Sequence, residues 1–301
     1  MPHVIQATRR QFRVPLPRRC LIGLLAVVLW LVFPVAGAAQ DRNDAWPTIE
    51  TKTAGMEKLN GYFPLYWDDR AGTLWLEVGR LGAEVLYVNG LAAGVGSNDI
   101  GLDRGQIGGS RIVSFERVGS KILMVQPNYR YRATTNNADE QRAVDDAFAT
   151  SVLFGFAVAA RTGERFLVEA TEFVLRDAHA VGASLPGRYH LDTSRSAVYM
   201  PRTKAFPRNT EMEATLTFER EEQSSGPGFG RGSIDAVAPN ADAVTVRQHH
   251  SLVELPDDDY TPRPYDPRAG YGTVTYIDYA APLGEPMTRR YLRRHRLEKQ
   301  D

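Results

Sequence analysis

Residues 211–218 read Glu-Met-Glu-Ala-Thr-Leu-Thr-Phe, a strict alternation that puts Glu211, Glu213, Thr215 and Thr217 on one side and Met212, Ala214, Leu216 and Phe218 on the other. Only an extended chain separates those two sets, because successive side chains of a strand point to opposite faces. The stretch predicts a strand that covers a core with one face and meets water with the other, the habit of antiparallel sheets. Working outward, residues 243–255 return as a long strand. Residues 73–78 alternate Leu74, Leu76 and Val78 with Thr73, Trp75 and Glu77, and form a hairpin with the aromatic run 62–67 across turn residues 68–72. Residues 84–88 read as a strand closed by Asn89-Gly90. Residues 111–118 and 121–125 flank Gly119-Ser120, a two-residue connection of the hairpin kind. Ile122-Leu123-Met124-Val125 is apolar on both faces, as in a central strand. Residues 151–160, 165–169, 273–279 and 289–296 complete the series.

Helix signals are fewer. Asn137, three residues before Glu140, caps a helix with an Ala143, Val144, Ala147, Phe148 stripe. Thr171 caps a short helix ending near His179, with Gly182 beyond it. The fold class is α+β and β-rich: antiparallel sheets of about ten strands with two or three short helices.

The 301 residues are 43% hydrophobic, enough for a sizeable core. Equal numbers of basic and acidic side chains conceal an asymmetry. Residues 1–39 hold Arg9, Arg10, Arg13, Arg18 and Arg19 and no acid, so the remainder has 31 basic against 36 acidic side chains, about −5. That balance gives no footprint for nucleic acid. An arginine-rich start, an apolar run over 20–33 and the small residues 36–39 have the layout of a secretory signal cleaved after Ala38 or Ala39. The chain is therefore expected to be exported, periplasmic or extracellular, touching membrane only through that signal or through the same segment kept as an uncleaved anchor. Cys20 is the single cysteine, so the mature chain has neither disulfides nor thiol ligands. The domain plan is a signal over 1–39, a polar lead-in over 40–61, a β-rich domain over 62–288 with a break near 182–210 if it divides, and a basic segment over 289–301.

Residues 94–109 pack six glycines into sixteen positions, with Asn98, Asp99, Asp103 and Arg104 among them. Gly94-Val95-Gly96 starts like a dinucleotide fingerprint, but Asp99 holds the sixth position and no helix follows. The oxygens of Asn98, Asp99 and Asp103 suit calcium in kind but not in spacing. The expected work of these residues is to brace the loop, the aspartates accepting backbone N–H groups and pairing with Arg104, or else to form a binding loop. His249 and His250 are adjacent on a strand, so they face opposite ways and cannot share an ion. Residues 195–209 interleave Arg202, Lys204 and Arg208 with Tyr199 and Phe206, a run suited to an acidic or peptide partner or to being pinned by arginine–carboxylate pairs. No H-E-x-x-H, G-x-S-x-G or P-loop pattern occurs, so no catalytic residue, metal ligand or cofactor is assigned in this chain.

Several segments carry a resemblance: 94–106 (G-V-G-S-N-D-I-G-L-D-R-G-Q), 115–119 (F-E-R-V-G), 125–128 (V-Q-P-N) with 131–133 (Y-R-A), 175–179 (L-R-D-A-H), 201–211 (P-R-T-K-A-F-P-R-N-T-E), 246–256 (V-R-Q-H-H-S-L-V-E-L-P) and 295–299 (H-R-L-E-K). With these the chain resembles the region of uncharacterised function that precedes the catalytic domain in a family of exported bacterial zinc-dependent metalloproteases related to the metzincins. The resemblance implies a non-catalytic portion of a zinc peptidase. The zinc ligands and general-base glutamate then belong to a catalytic domain absent here, the partner is that domain in cis, and the substrate is protein or peptide. A truncated or naturally short chain would both fit. The alternative is a stand-alone β-rich binding module of the cell envelope.

Overall fold

A computed structural model describes residues 46–221 and 233–296. The signal-like segment 1–39 and the glycine-rich residues 222–232 lie outside them. In chain order the elements are α1 (Ile49–Lys52), β1 (Glu57–Leu59), β2 (Leu65–Asp68), β3 (Thr73–Val78), β4 (Val85–Ala93), β5 (Ile107–Val118), β6 (Lys121–Gln126) and β7 (Tyr131–Arg132). There follow α2 (Ala138–Ala147), β8 (Ser151–Thr162), β9 (Arg165–Glu169), α3 (Thr171–Leu175), α4 (Val181–Ser184), β10 (Tyr189–Val198), β11 (Lys204–Phe206) and β12 (Asn209–Arg220). The last are β13 (Ala243–Glu254), β14 (Thr273–Asp278) and β15 (Thr288–Leu292). The protein is β-rich with antiparallel sheets and short helices. The fifteen strands among the described residues exceed the ten expected because short pieces such as β1, β7 and β11 carry no periodicity of their own.

Twelve strands form one sheet in the order β1-β2-β3-β9-β8-β6-β5-β4-β13-β12-β10, with β11 also on β12. Its two ends meet. Tyr62 N donates to Phe206 O at 2.7 Å, and Thr210 Oγ1 both accepts from Phe63 N at 3.0 Å and donates to Phe63 O at 2.9 Å. The approach is so close that a Cβ on Gly61 would lie 2.6 Å from that of Ala205, so only glycine fits. The rolled sheet encloses Phe63, Tyr87, Phe115, Phe156, Phe173 and Phe218 in one cluster. Each such buried aromatic stabilises the fold by roughly 1.5–3 kcal/mol. Phe173 and Val174 of α3 fill the interior.

The alternating pattern of β12 lands as expected on the core side, with Met212, Ala214, Leu216 and Phe218 buried. Its other face does not meet water throughout, since Glu213 and Thr217 are buried too. β3 departs likewise: Trp75 and Glu77 are covered because α1 packs on that face with Ile49, Tyr66 and Leu167. Inside this second layer Glu77 accepts from Tyr66 Oη at 2.6 Å and from Arg165 at 2.9 Å.

Other boundaries move. β4 runs through Asn89-Gly90, where its pairing with β5 shifts register, instead of closing there. α3 begins after Ala170 and stops at Leu175, because the Thr171 hydroxyl accepts from Leu74 N on β3 and Arg176 leaves helical geometry. Asp177 then accepts from Val181 N and Gly182 N, starting α4. Asn137 caps α2 as read, accepting from Asp139 N. The described residues belong to one compact unit, and the sheet runs on through 182–210. The lead-in contributes α1 and β1, and the basic segment begins inside β15, which joins β14 and β7 in a separate three-stranded sheet. There β7 and β14 run parallel, the exception to the antiparallel rule.

Candidate functional site

On the outer face of β12 and β13, direct pairing sets Glu211 opposite Ser251 and Glu213 opposite His249, and β11 brings Lys204 opposite Glu211. His249 Nε2 lies 2.6 Å from Glu211 Oε2, and its Nδ1 lies 3.4 Å from Glu213 Oε2. Ser251 Oγ and Asn209 Nδ2 also donate to Glu211, and Arg247 Nε stands 3.5 Å from Glu213 beneath the Tyr199 ring. The hydrogen bond to Glu211 holds the His249 pKa above its ordinary value. Burial would raise Glu211, but hydrogen bonds from His249, Ser251 and Asn209 outweigh it and hold its carboxyl below the usual range. Both ring nitrogens lie against carboxylates, an arrangement that favours the protonated ring. His249 has no free nitrogen to act as a base, and Ser251 points at Glu211, not at the ring, so this is no nucleophile–base pair.

His250 faces the core, as the alternation requires. Its Nδ1 is 2.9 Å from Tyr87 Oη, and its Nε2 is 2.9 Å from Gln248 Nε2 and 3.1 Å from Val174 O. The Gln248 amide is oriented by accepting from His179 N and donating to Arg176 O. It therefore presents an N–H to His250 Nε2, whereas the Val174 carbonyl, an acceptor against the same nitrogen, calls for the opposite tautomer. Burial pushes the His250 pKa down to about 3. Arg176 donates to Tyr87 Oη at 3.0 Å and to Leu153 O at 2.8 Å, with its guanidinium 4.4 Å from the Phe173 ring. His179, also lowered by burial, lies 3.4 Å from Asn89 Nδ2.

The glycine-rich loop is held by other forces than those expected. Asp99, Asp103, Arg104 and Asn98 make no side-chain hydrogen bond or ion pair with any described residue. Backbone bonds close it instead, Val95 N to Leu102 O at 2.8 Å and Gly105 N to Leu91 O at 2.7 Å, while Ile100 and Leu102 are buried beneath. A Cβ on Gly94 would sit 2.0 Å from Leu102 O, which explains a glycine there better than any ligand does. In the basic run, Arg195 pairs with Asp192 and Glu219 and Arg208 with Glu254 at 2.9 Å. Arg202, in a 3-10 turn over Met200–Arg202, and Lys204 are exposed without a side-chain partner among the described residues.

Two features escaped the sequence reading. The first is a cleft of about 500 Å³ between α2 and the segment 127–133, with Tyr131 stacked on Phe148 at 3.8 Å and Glu116 and Asp145 on its wall. The signal for it was two acids, Asp145 and Asp146, in the last turn of α2, where no basic residue offsets them. The second is the surface of the three-stranded sheet. Tyr276 stacks on Tyr291 at 6.0 Å, Arg132 lies 4.5 Å from the Tyr276 ring, and Tyr265, Tyr271, Val274, Tyr279, Leu283 and Met287 are exposed around them. Arg293, just past β15, and Arg290, which alternates with Tyr291 onto the opposite face of β15, are both exposed with no side-chain partner among the described residues.

The profile of a family described as a domain of unknown function (DUF5117) matches residues 105–300. The chain belongs to that family. The DUF5117 match opens inside the glycine-rich loop and takes in β5 to β15, so it contains His249, His250, the cleft and the three-stranded sheet. It leaves out β4, although β4 lies between β5 and β13 in the sheet. No curated protein and no solved structure matches the chain. Among the described residues of this DUF5117 protein, no three His, Cys, Asp or Glu side chains are arranged to hold a metal ion, and no helix is long and apolar enough to cross a membrane.

Proposed function

We propose that this protein is the non-catalytic portion of an exported, metzincin-like zinc metallopeptidase, a β-rich scaffold on which the catalytic domain sits and which gates the approach of protein or peptide substrate. On this reading zinc and its ligands belong to the catalytic domain. The observation that carries the reading is the surface of the three-stranded sheet. Exposed tyrosines and Met287, edged by Arg290 and Arg293 that lack side-chain partners among the described residues, are the composition of a protein interface and not of a solvated face. Arg290 and Arg293 call for an acidic partner surface. The motif resemblance over 94–106, 201–211 and 246–256 supplies the identity of that partner.

The test is association of the purified chain with a separately expressed zinc catalytic domain of the same peptidase family, read by calorimetry. Binding that is weakened at least tenfold by Arg290→Glu with Arg293→Glu is the expected result. No association, or zinc-dependent, chelator-sensitive casein hydrolysis by the chain alone, would overturn the proposal. A second reading, a stand-alone binding module of the cell envelope, is favoured by the cleft beside α2.

A further inference from the structure

The cleft beside α2 has a chemistry of its own, independent of any catalytic domain. Its volume, about 500 Å³, is that of a ligand site, and its walls combine apolar surface with few polar groups. Val125, Pro127, Val144 and Phe148 line one part, and Glu116 and Asp145 another. Neither carboxylate makes an ion pair with any described residue, and Glu116 receives only a long hydrogen bond, 3.4 Å, from Ser114.

The backbone adds to the same negative potential. α2 is ten residues long, and its C-terminal end, where the aligned peptide dipoles place negative charge, abuts the cleft through Val144, Asp145 and Phe148. Acids destabilise a helix at that end, and natural sequences usually place lysine, arginine or histidine there. Here the last turn has Asp145 and Asp146 and no base. A local rule broken on the wall of a cleft marks function more often than accident. The one cation on the rim does not compensate. Arg132 is committed elsewhere, donating from Nε to Tyr129 O at 2.9 Å and lying against the Tyr129 and Tyr276 rings at 5.0 and 4.5 Å.

We infer that this cleft binds a basic side chain, lysine or arginine, presented by an extended polypeptide. The apolar wall takes the methylene stem, and Glu116, Asp145 and the end of α2 take the charged head, an arrangement suited to side chains that are apolar along their length and charged at the tip. An anion meets two carboxylates and the negative end of α2 against the one guanidinium of Arg132. A neutral apolar group gains nothing from the two carboxylates.

The experiment uses the full chain and two acetylated, amidated pentapeptides, Gly-Gly-Arg-Gly-Gly and the same peptide with citrulline, a neutral isostere, in place of arginine. Titration calorimetry at low ionic strength is expected to give at least tenfold tighter binding of the arginine peptide. Glu116→Gln with Asp145→Asn should bring its affinity down to that of the citrulline peptide without lowering the melting temperature, since both residues are exposed and the loss of an acid from the last turn of α2 favours the helix. Equal binding of the two peptides, no binding of the arginine peptide at millimolar concentration, or an arginine affinity indifferent to the double substitution would each overturn the inference. None of these results bears on the association proposed for the three-stranded sheet, which Arg290 and Arg293 report separately.

Discussion

His249 and His250 are neighbours in sequence and opposites in everything else. One lies on the outer face of β13 between Glu211 and Glu213, its pKa raised by its carboxylate partners. The other is wholly buried among Tyr87, Gln248 and Val174 and is held neutral by the absence of water. The strand's alternation dictates the split, but the character of each side comes from what lies across from it. The outer face has acidic partners on β12, whereas the inner face has α3 and the Arg176 segment packed into the rolled sheet. Identical side chains thus answer to two physical regimes: charge pairing near solvent, where each contact is modest, and buried hydrogen bonding in the core, where an unmade bond is costly.

The contrast can be broken at either end. His250→Ala is expected to cost the most, roughly 2–4 kcal/mol, because it opens a cavity and strands the partners of the ring; the guanidinium unfolding midpoint measures it, and a loss below about 1 kcal/mol would mean that the buried network adds little. Acid and base should then act in opposite senses on the two rings. His250, depressed to about 3, contributes stability that is present above about pH 6.5 and lost as the pH falls toward 3. His249, raised, contributes stability that is complete below about pH 6.5 and lost as the pH rises through its folded value. Melting temperatures across pH 4–9 should therefore fall on both sides, and His249→Gln should flatten only the alkaline fall. Glu213→Gln is a smaller break, about 1 kcal/mol, since the amide keeps the packing and loses the charge facing Arg247 and His249. Smallest of all are Asp99→Ala and Asp103→Ala, which lack partners and should shift stability by no more than about 0.5 kcal/mol in chemical denaturation. A larger loss would restore the brace that the sequence led us to expect.

That mistaken brace shows where sequence reasoning stops. Glycine density at 94–109 correctly announced a tight loop, but the aspartates beside it were given work that backbone bonds and the buried Ile100 and Leu102 perform. The outer-face cluster was half legible: His249 was singled out, but Glu211 and Glu213 were assigned to solvent. The cleft was not legible, because Glu116 and Asp145 stand on different elements and only the placement of α2 against residues 127–133 brings them to one wall. The family match has a similar blind spot. It begins at Gly105, yet β5 and β13 are joined only through β4, which precedes it.

The sequence by itself determined the β-rich class, the Gly119-Ser120 hairpin, the Asn137 cap and the opposite facing of His249 and His250. Each of these is set within a few residues by periodicity or turn chemistry. Tertiary structure alone decided that Val85 pairs with Glu254, that residues 61–63 close the sheet onto 206–210, and that Glu77 and Glu213 are covered. Those outcomes depend on partners far away in the chain. A side chain's own pattern states which way it points, but not what comes to rest on top of it.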